Sequence, residues 1–330
     1  MNEQQQNCEC EMHESMMAEF ADAEELKVEA GHPIDIMQLE NNAFLQLIDE
    51  IQESLEADNV DKVIDGLKKL MSIHIHYGKK EGLFMPILYQ HGVTGPSQVM
   101  WSADDEIKSE VRTLNKKISP DTYPKLKERI TEILYRIKDM ISREEIVFLP
   151  LSNKFFTQDE WLSVYRDIPE YGYALIEDVP KWAEGEAWIN EQSAQFNENF
   201  LDGKIQFDTG EITIKQLQGI FKLLPMDITF IDKDNHLRFF INEGRIFSRP
   251  KSALGRNIEL CHPPKIIAVI EKLVEDFKAK KRRSMEIWKQ VKGKPVAVKY
   301  MAVYDEADEY IGIVEFVQDC SEVLKNFANE

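Results

Sequence analysis

The chain has 330 residues, of which 43% are hydrophobic and 30% charged, with a formal net charge of −19. That composition describes a globular protein long enough for two separate cores and excludes a disordered tail. Four cysteines, at 8, 10, 261 and 320, exclude a disulfide framework, and the acidic balance disfavours binding to nucleic acid phosphates.

No run of 18 apolar residues occurs, and the first thirty residues are acidic and polar, without the basic start and apolar centre of a signal peptide. A cytoplasmic protein with no membrane partner is expected. The charge is unevenly distributed: residues 214–330 hold 20 Lys+Arg against 17 Asp+Glu, whereas residues 1–213 hold 20 against 42. This asymmetry predicts two domains. Cys8, Cys10 and His13 offer too few ligands for a zinc finger.

Four amphipathic helices are predicted between residues 33 and 150. Pro33 suits a first helical position, and Ile36, Leu39, Phe44, Leu47, Ile48, Ile51 and Leu55 follow at three- and four-residue steps. A second helix spans about 60–89, with Val63, Ile64, Leu67, Leu70, Met71 and Ile75 on one face, and ends before Gly92 and Gly95-Pro96. The third spans about 97–117 and the fourth about 121–149, the latter carrying Leu126, Ile130, Ile133, Leu134, Ile137 and Ile141. Short connections between long helices imply an up-down bundle.

One pattern occurs twice, about 64 residues apart: Lys80-Glu81-Gly82-Leu83-Phe84-Met85-Pro86 and Glu144-Glu145-Ile146-Val147-Phe148-Leu149-Pro150. Such a repeat puts a carboxylate at the same height on two helices, which is how bundles build internal metal sites. His76 lies five residues before Glu81, a step of about 140° that converges only if the glutamate reaches sideways. His32 heads the first helix, with Glu40 two turns on; Asp104 and Glu106 lie in the third. His74, two residues from His76, faces elsewhere, and His91 falls in a turn.

A linker rich in acidic residues, amides and Trp follows, from about residue 166 to 211. A short helix then ends at Pro225, and a hairpin is predicted from 227–232 and 237–241. A long helix from Pro264 to about Lys281 and three closing strands, 284–291, 296–304 and 310–318, complete the chain. His262 precedes the long helix. Lys280-Lys281-Arg282-Arg283 reads as the ordinary accumulation of cations at a helix C-terminus.

The segments Gly31-His32-Pro33, His76 through Pro86, Gly95-Pro96 with Met100-Trp101, and Glu144 through Pro150 resemble the hemerythrin-type HHE cation-binding domain found in bacterial proteins that end in a PAS domain. Leu224-Pro225 through Asp232, Cys261-His262-Pro263-Pro264 and Gly312 through Asp319 are similar to the PAS domains of the same family. The expected fold is therefore multidomain: an all-α up-down four-helix bundle at 31–165, a linker at 166–211 and an α+β PAS domain with a curved antiparallel sheet at 212–330. Residues 1–30 resemble the remnant of a domain that usually precedes the bundle.

The resemblance implies non-haem iron, mono- or dinuclear, held by His32, His76, Glu81, Asp104 and Glu145. Asp104 stands where the family usually has histidine. It also implies a sensor of O2, NO or redox state whose PAS domain relays the signal through homodimerisation or a downstream protein partner. No helix-turn-helix, phosphate-binding glycine loop, kinase motif or nucleophile elbow is present, which favours a non-enzymatic role. Two alternatives are a diiron enzyme acting on peroxide or NO or repairing iron-sulfur clusters, and a PAS sensor with haem on His262 and a metal-free bundle.

Overall fold

The computed structural model describes residues 26–196, 203–241, 245–262, 264–291 and 293–327. Most of the N-terminal remnant, including Cys8, Cys10 and His13, lies outside the described residues. The chain divides into two compact units, 1–188 and 189–330.

The first unit is helical. Helix α1 (Pro33–Glu56) starts at His32, whose Nδ1 accepts the Ile34 N–H, with proline at a first-turn position where a missing N–H costs nothing. Helix α2 (Val60–Leu70) is capped by Asn59, and α3 (Ile73–Lys79) follows after a break at residues 71–72. The second predicted helix is thus interrupted. Helix α5 (Gly95–Lys117) and α6 (Tyr123–Arg143) are the third and fourth bundle rods, and α4 (Met85–Gln90) and α7 (Leu149–Phe155) extend the second and fourth.

Both copies of the repeat form π turns, Lys80–Phe84 and Glu144–Phe148, in which the Met85 N–H reaches the Lys80 carbonyl and the Leu149 N–H reaches that of Glu144. The cause lies one residue further on. Pro86 and Pro150 have no N–H for the carbonyls four residues back, and their rings crowd those carbonyls, so the turn widens by one residue. Phe84 and Phe148, equivalent residues of the two copies, pack with ring centroids 5.9 Å apart. Ile34, Phe44, Ile48, Val63, Leu67, Tyr77, Phe84, Val111, Ile130, Ile137 and Phe148 are among the completely buried side chains of this core.

The stretch expected as a linker begins inside this unit. Helix α8 (Gln158–Tyr171) opens with a Thr157/Glu160 capping box and buries Trp161, Leu162, Val164 and Ile168. Residues 172–182 then cross back over the bundle to the start of α1. There the Trp182 indole donates to Glu29 and its backbone N–H to the Tyr165 hydroxyl. Helix α9 (Ala183–Phe196) continues past the boundary between the units.

The second unit opens with a hairpin, β1 (Lys204–Phe207) and β2 (Gly210–Thr213), that the sequence pattern does not predict. Helix α10 (Ile214–Leu223) follows. Strands β3 (Asp227–Asp232), β4 (Leu237–Phe240), β5 (Ser284–Val291), β6 (Lys294–Tyr304) and β7 (Tyr310–Asp319) form one antiparallel sheet in the order β4-β3-β7-β6-β5. Helix α11 (Pro264–Lys278) supplies Leu273, Val274 and Phe277 to a core shared with Ile231, Leu237, Ala253, Ile258 and Ile313. No helix among the described residues is long and apolar enough to cross a membrane.

Gly31 and Gly92 have nearly the same positive φ, +79° and +80°, but only Gly31 is confined: a Cβ there would lie 2.4–2.6 Å from the backbone of residues 180–182, whereas Gly92 faces open space. Gly92→Ala is expected to cost about 1 kcal/mol, the strain of the backbone alone. Gly31→Ala should cost at least about 2 kcal/mol more, because residues 180–182 must move. Urea unfolding of the two variants checks this, and equal losses would show that the crossing segment is not held there.

Candidate functional site

At the centre of the bundle six ionisable side chains from four helices meet, all with no solvent exposure: Glu40 of α1, His76 and Lys79 of α3, Lys80 at the following π turn, Asp104 of α5 and Glu144 at the end of α6. His76 bridges two glutamates, with Nδ1 2.7 Å from Glu40 Oε2 and Nε2 3.0 Å from Glu144 Oε2. Lys79 donates to Glu40 and, at 3.1 Å, to the Gly172 carbonyl. Lys80 donates to Glu144 and, at 2.8 Å, to Asp104 Oδ1, with its ammonium 4.2 Å from the centre of the Tyr77 ring.

Helical spacing explains the convergence. His76, Lys79 and Lys80 stand at i, i+3 and i+4 and share one face, whereas Glu81 at i+5 is turned away. The repeat supplies the partner: Lys80 and Glu144 occupy equivalent positions in its two copies and pair across the bundle axis. Glu81 and Glu145 are equivalent too, and both leave the centre.

Three acids face three bases. A ring that donates from both nitrogens is an imidazolium, so His76, Lys79 and Lys80 are the cations that face Glu40, Glu144 and Asp104. Burial lowers the His76 pKa, but Glu144 and Glu40 outweigh it and hold the value above the ordinary one. For Glu144, burial raises the pKa, yet Lys80 and His76 bring it down to about 2. Glu40 is likewise held low by His76 and Lys79 against burial, and Lys80 is held high by Asp104 and Glu144. Lys79, with one carboxylate that it shares with His76, is the cation on which burial prevails, and its pKa falls.

Asp104 is the least satisfied carboxylate. It has one cation, shared with Glu144, and its Oδ2 makes no hydrogen bond; nor does the buried Tyr77 hydroxyl. Burial raises its pKa to about 7, with Lys80 pulling down and Glu144 and Glu81 pushing up.

Of the five residues expected to hold iron, the structure brings His76 and Asp104 into this cluster and places the other three elsewhere. Glu81 accepts from Lys108, at 2.7 Å to Oε2. Glu145 accepts from Gln38 at 3.1 Å and Asn41 at 2.8 Å. His32 caps α1 between the rings of Trp161 and Trp182, 4.7 and 4.8 Å away, and burial lowers its pKa to about 4, which keeps it neutral. The group at the centre differs from the expected ligand set: the second acid that faces inward is Glu144, one residue before the predicted Glu145, and Lys79, Lys80 and Glu40 complete it. The i, i+3, i+4 spacing from His76 carries the signal for both lysines.

The residues present do not fit a metal. Ligation needs an imidazole lone pair, and His76 spends both nitrogens as donors; the oxygens of Glu40 and Glu144 already accept from cations. Among the described residues no three His, Cys, Asp or Glu side chains are arranged to hold a metal ion. In the second unit, His262 follows the 3-10 turn Ile258–Cys261 and donates from Nδ1 to the Ile258 carbonyl at 2.7 Å. Burial lowers its pKa, so the ring is neutral with Nε2 unprotonated. The cations after α11 are paired, Lys280 and Arg283 with Asp308 and Arg282 with Asp276.

Residues 32–152 match the family described as the hemerythrin HHE cation binding domain, and residues 217–321 match a PAS domain family. The chain joins a hemerythrin-type HHE domain to a PAS domain. Solved structures similar to this HHE–PAS protein include the C-terminal domain of a protein from Streptococcus mutans, 33% identical over 37% of this chain and 96% of that one, with a TM-score of 0.35. The PAS domain of BvgS from Bordetella pertussis is 16% identical over 35% of this chain and 94% of its own, with a TM-score of 0.27. A sensory box sensor histidine kinase from Vibrio cholerae is 12% identical over 32% of this chain and 89% of its own, with a TM-score of 0.25. No curated protein matches the chain.

The shifts give the cluster a signed pH dependence. Glu144 contributes stability above its ordinary pKa that is lost as pH falls toward 2, and His76 contributes stability below its ordinary pKa that is lost as pH rises through its elevated one. Asp104 in the folded protein keeps a proton up to about pH 7 that the unfolded chain releases near pH 4. Folded stability therefore falls through this group as pH rises from 4 to 7, by about 1.4 kcal/mol per pH unit at most. Asp104→Asn should remove that part of the slope while Lys80, Glu144, Glu81 and Tyr77 stay in place. Urea unfolding of both proteins from pH 4 to 8 measures it; a stability difference that does not change with pH contradicts the assignment.

Proposed function

We propose that the chain is a non-enzymatic sensory or signalling protein in which the charge cluster of the HHE bundle sets the state of the segment leaving the bundle, and the PAS domain relays that state by self-association or by binding a protein partner. The pairing of an HHE domain with a PAS domain supports the signalling role. The observation that carries the coupling is at Glu40. One carboxylate oxygen of this residue accepts from both Lys79 and the backbone N–H of Ala174, the latter at 2.7 Å, while Lys79 also donates to the Gly172 carbonyl. The start of the exit segment is therefore bonded directly to the cluster.

A change in the charge or hydrogen bonding of Glu40 alters what holds residues 172–174, and the chain runs from there through Trp182 and α9 into the PAS unit. A response of bound iron to O2 or NO, the reading the resemblance favours, would need metal ligands in place of the ammonium-bound carboxylates found here. Haem on His262 has in its favour the free Nε2 of a neutral ring.

Glu40→Gln keeps the shape and removes the charge. A hydrogen bond to a charged group is worth about 1.5–3 kcal/mol, so amide exchange in residues 172–182 should accelerate about tenfold or more. Exchange in β6 and β7 should be unchanged, and the self-association of the full chain, measured by sedimentation, should shift. Unchanged exchange at 172–182, or faster exchange with unaltered association and partner binding, would refute the coupling.

A further inference from the structure

We infer that Lys79 and Lys80 are the resident cations of this HHE bundle, two ammonium groups built into the chain that do the work for which such a bundle otherwise takes a metal ion. This inference stands on the geometry of the cluster and does not depend on the signalling reading.

The bundle supplies inward carboxylates on three of its rods, Glu40, Asp104 and Glu144, in an interior with no access to water. Carboxylates so placed need compensation, because an unpaired charge in the interior has lost its hydration with nothing in return. Each lysine meets this need at its own end of the cluster. Lys79 sits on Glu40 beside the exit segment, and Lys80 bridges Glu144 and Asp104 on the opposite side of His76. The imidazolium of His76 lies between them and joins the two ends.

Two further contacts show that the lysines are seated. The Lys80 ammonium lies against the face of Tyr77, and that of Lys79 lies 5.4 Å from the centre of the Tyr173 ring, so both cations have an aromatic surface where they lack an oxygen. Lys79 and Lys80 are among the largest completely buried side chains of the described residues. Their alkyl stems fill volume that a bound ion and its water would otherwise need. A divalent ion entering this centre would have to displace an ammonium and deprotonate His76, leaving the displaced charge in the apolar interior.

The inference makes the bundle independent of metal and makes the two lysines the barrier to metal uptake. The full-length protein, incubated anaerobically with ferrous iron and separately with Zn2+ and then desalted, should retain less than about a tenth of an equivalent of either metal by elemental analysis. Its melting temperature should be the same in EDTA as with metal. The Lys79→Ala/Lys80→Ala protein frees Glu40, Glu144, Asp104 and His76 together, and it should retain close to one equivalent or more and melt higher with metal than with EDTA. If that variant folds under neither condition, the Lys80→Ala protein serves instead, with the same expectation at the Glu144 end. Retention of an equivalent of metal by the unmodified protein, abolished by Glu144→Gln, would overturn the inference; so would a folded lysine variant that takes up no metal.

Discussion

Carboxylates buried in a helical bundle must be matched by positive charge, and in this protein the match is made by side chains. Glu40, Asp104 and Glu144 are opposed by His76, Lys79 and Lys80, and Asp104, the least satisfied of the three acids, holds a proton up to about pH 7. Such a cluster adds little net stability compared with an apolar core of the same volume, because each charge was better solvated in water. It does impose a severe condition on register. A helix displaced by one residue would strand a charge in the interior, so the four rods are fixed by electrostatics as well as by the packing of Phe44, Phe84 and Phe148 around them.

The duplicated segment is where sequence, local structure and site meet. Each proline forces a π turn, and the residue opening that turn faces the centre, a cation in one copy and an anion in the other. The internal repeat thus became a complementary pair. The next residue, glutamate in both copies, is carried to the flank, where Lys108 or the amides of Gln38 and Asn41 receive it.

Much of the fold was legible from periodicity. The boundaries of α1, α5 and β3 follow from apolar spacing, proline and turn residues, as do β5 and the long helix of the PAS unit. The start of α8, by contrast, is set by the Thr157/Glu160 capping box, and the seating of Ala174 and Trp182 on the bundle depends on contacts with Glu40, Tyr165 and Glu29 that are distant in sequence. In the site, the duplicated motif marked the turns that meet at the centre, and of the paired acids the structure turns Glu144 rather than Glu145 toward His76. A search for metal ligands passes over lysine, and Lys79 and Lys80 are what decide which acids turn inward. Repeat alignment alone pairs Lys80 with Glu144; reading that pair as a salt bridge required knowing that both face the axis.

The PAS unit contributes a five-stranded sheet and a single long helix around Phe277 and Leu237, and its match to the PAS family rests on residues 217–321. The other domain is marked by its buried, ion-paired centre. The most direct measurement is NMR of the lysine side-chain nitrogens at neutral pH in protein labelled at Nζ. Buried, ion-paired ammonium groups should give two slowly exchanging NH3+ signals that are assigned by their loss in Lys79→Arg and Lys80→Arg proteins and are unaffected by EDTA or added metal. If both lysines instead exchange as fast as surface lysines, or if the signals disappear when stoichiometric divalent metal is supplied, the carboxylates of the bundle are not neutralised by the chain itself.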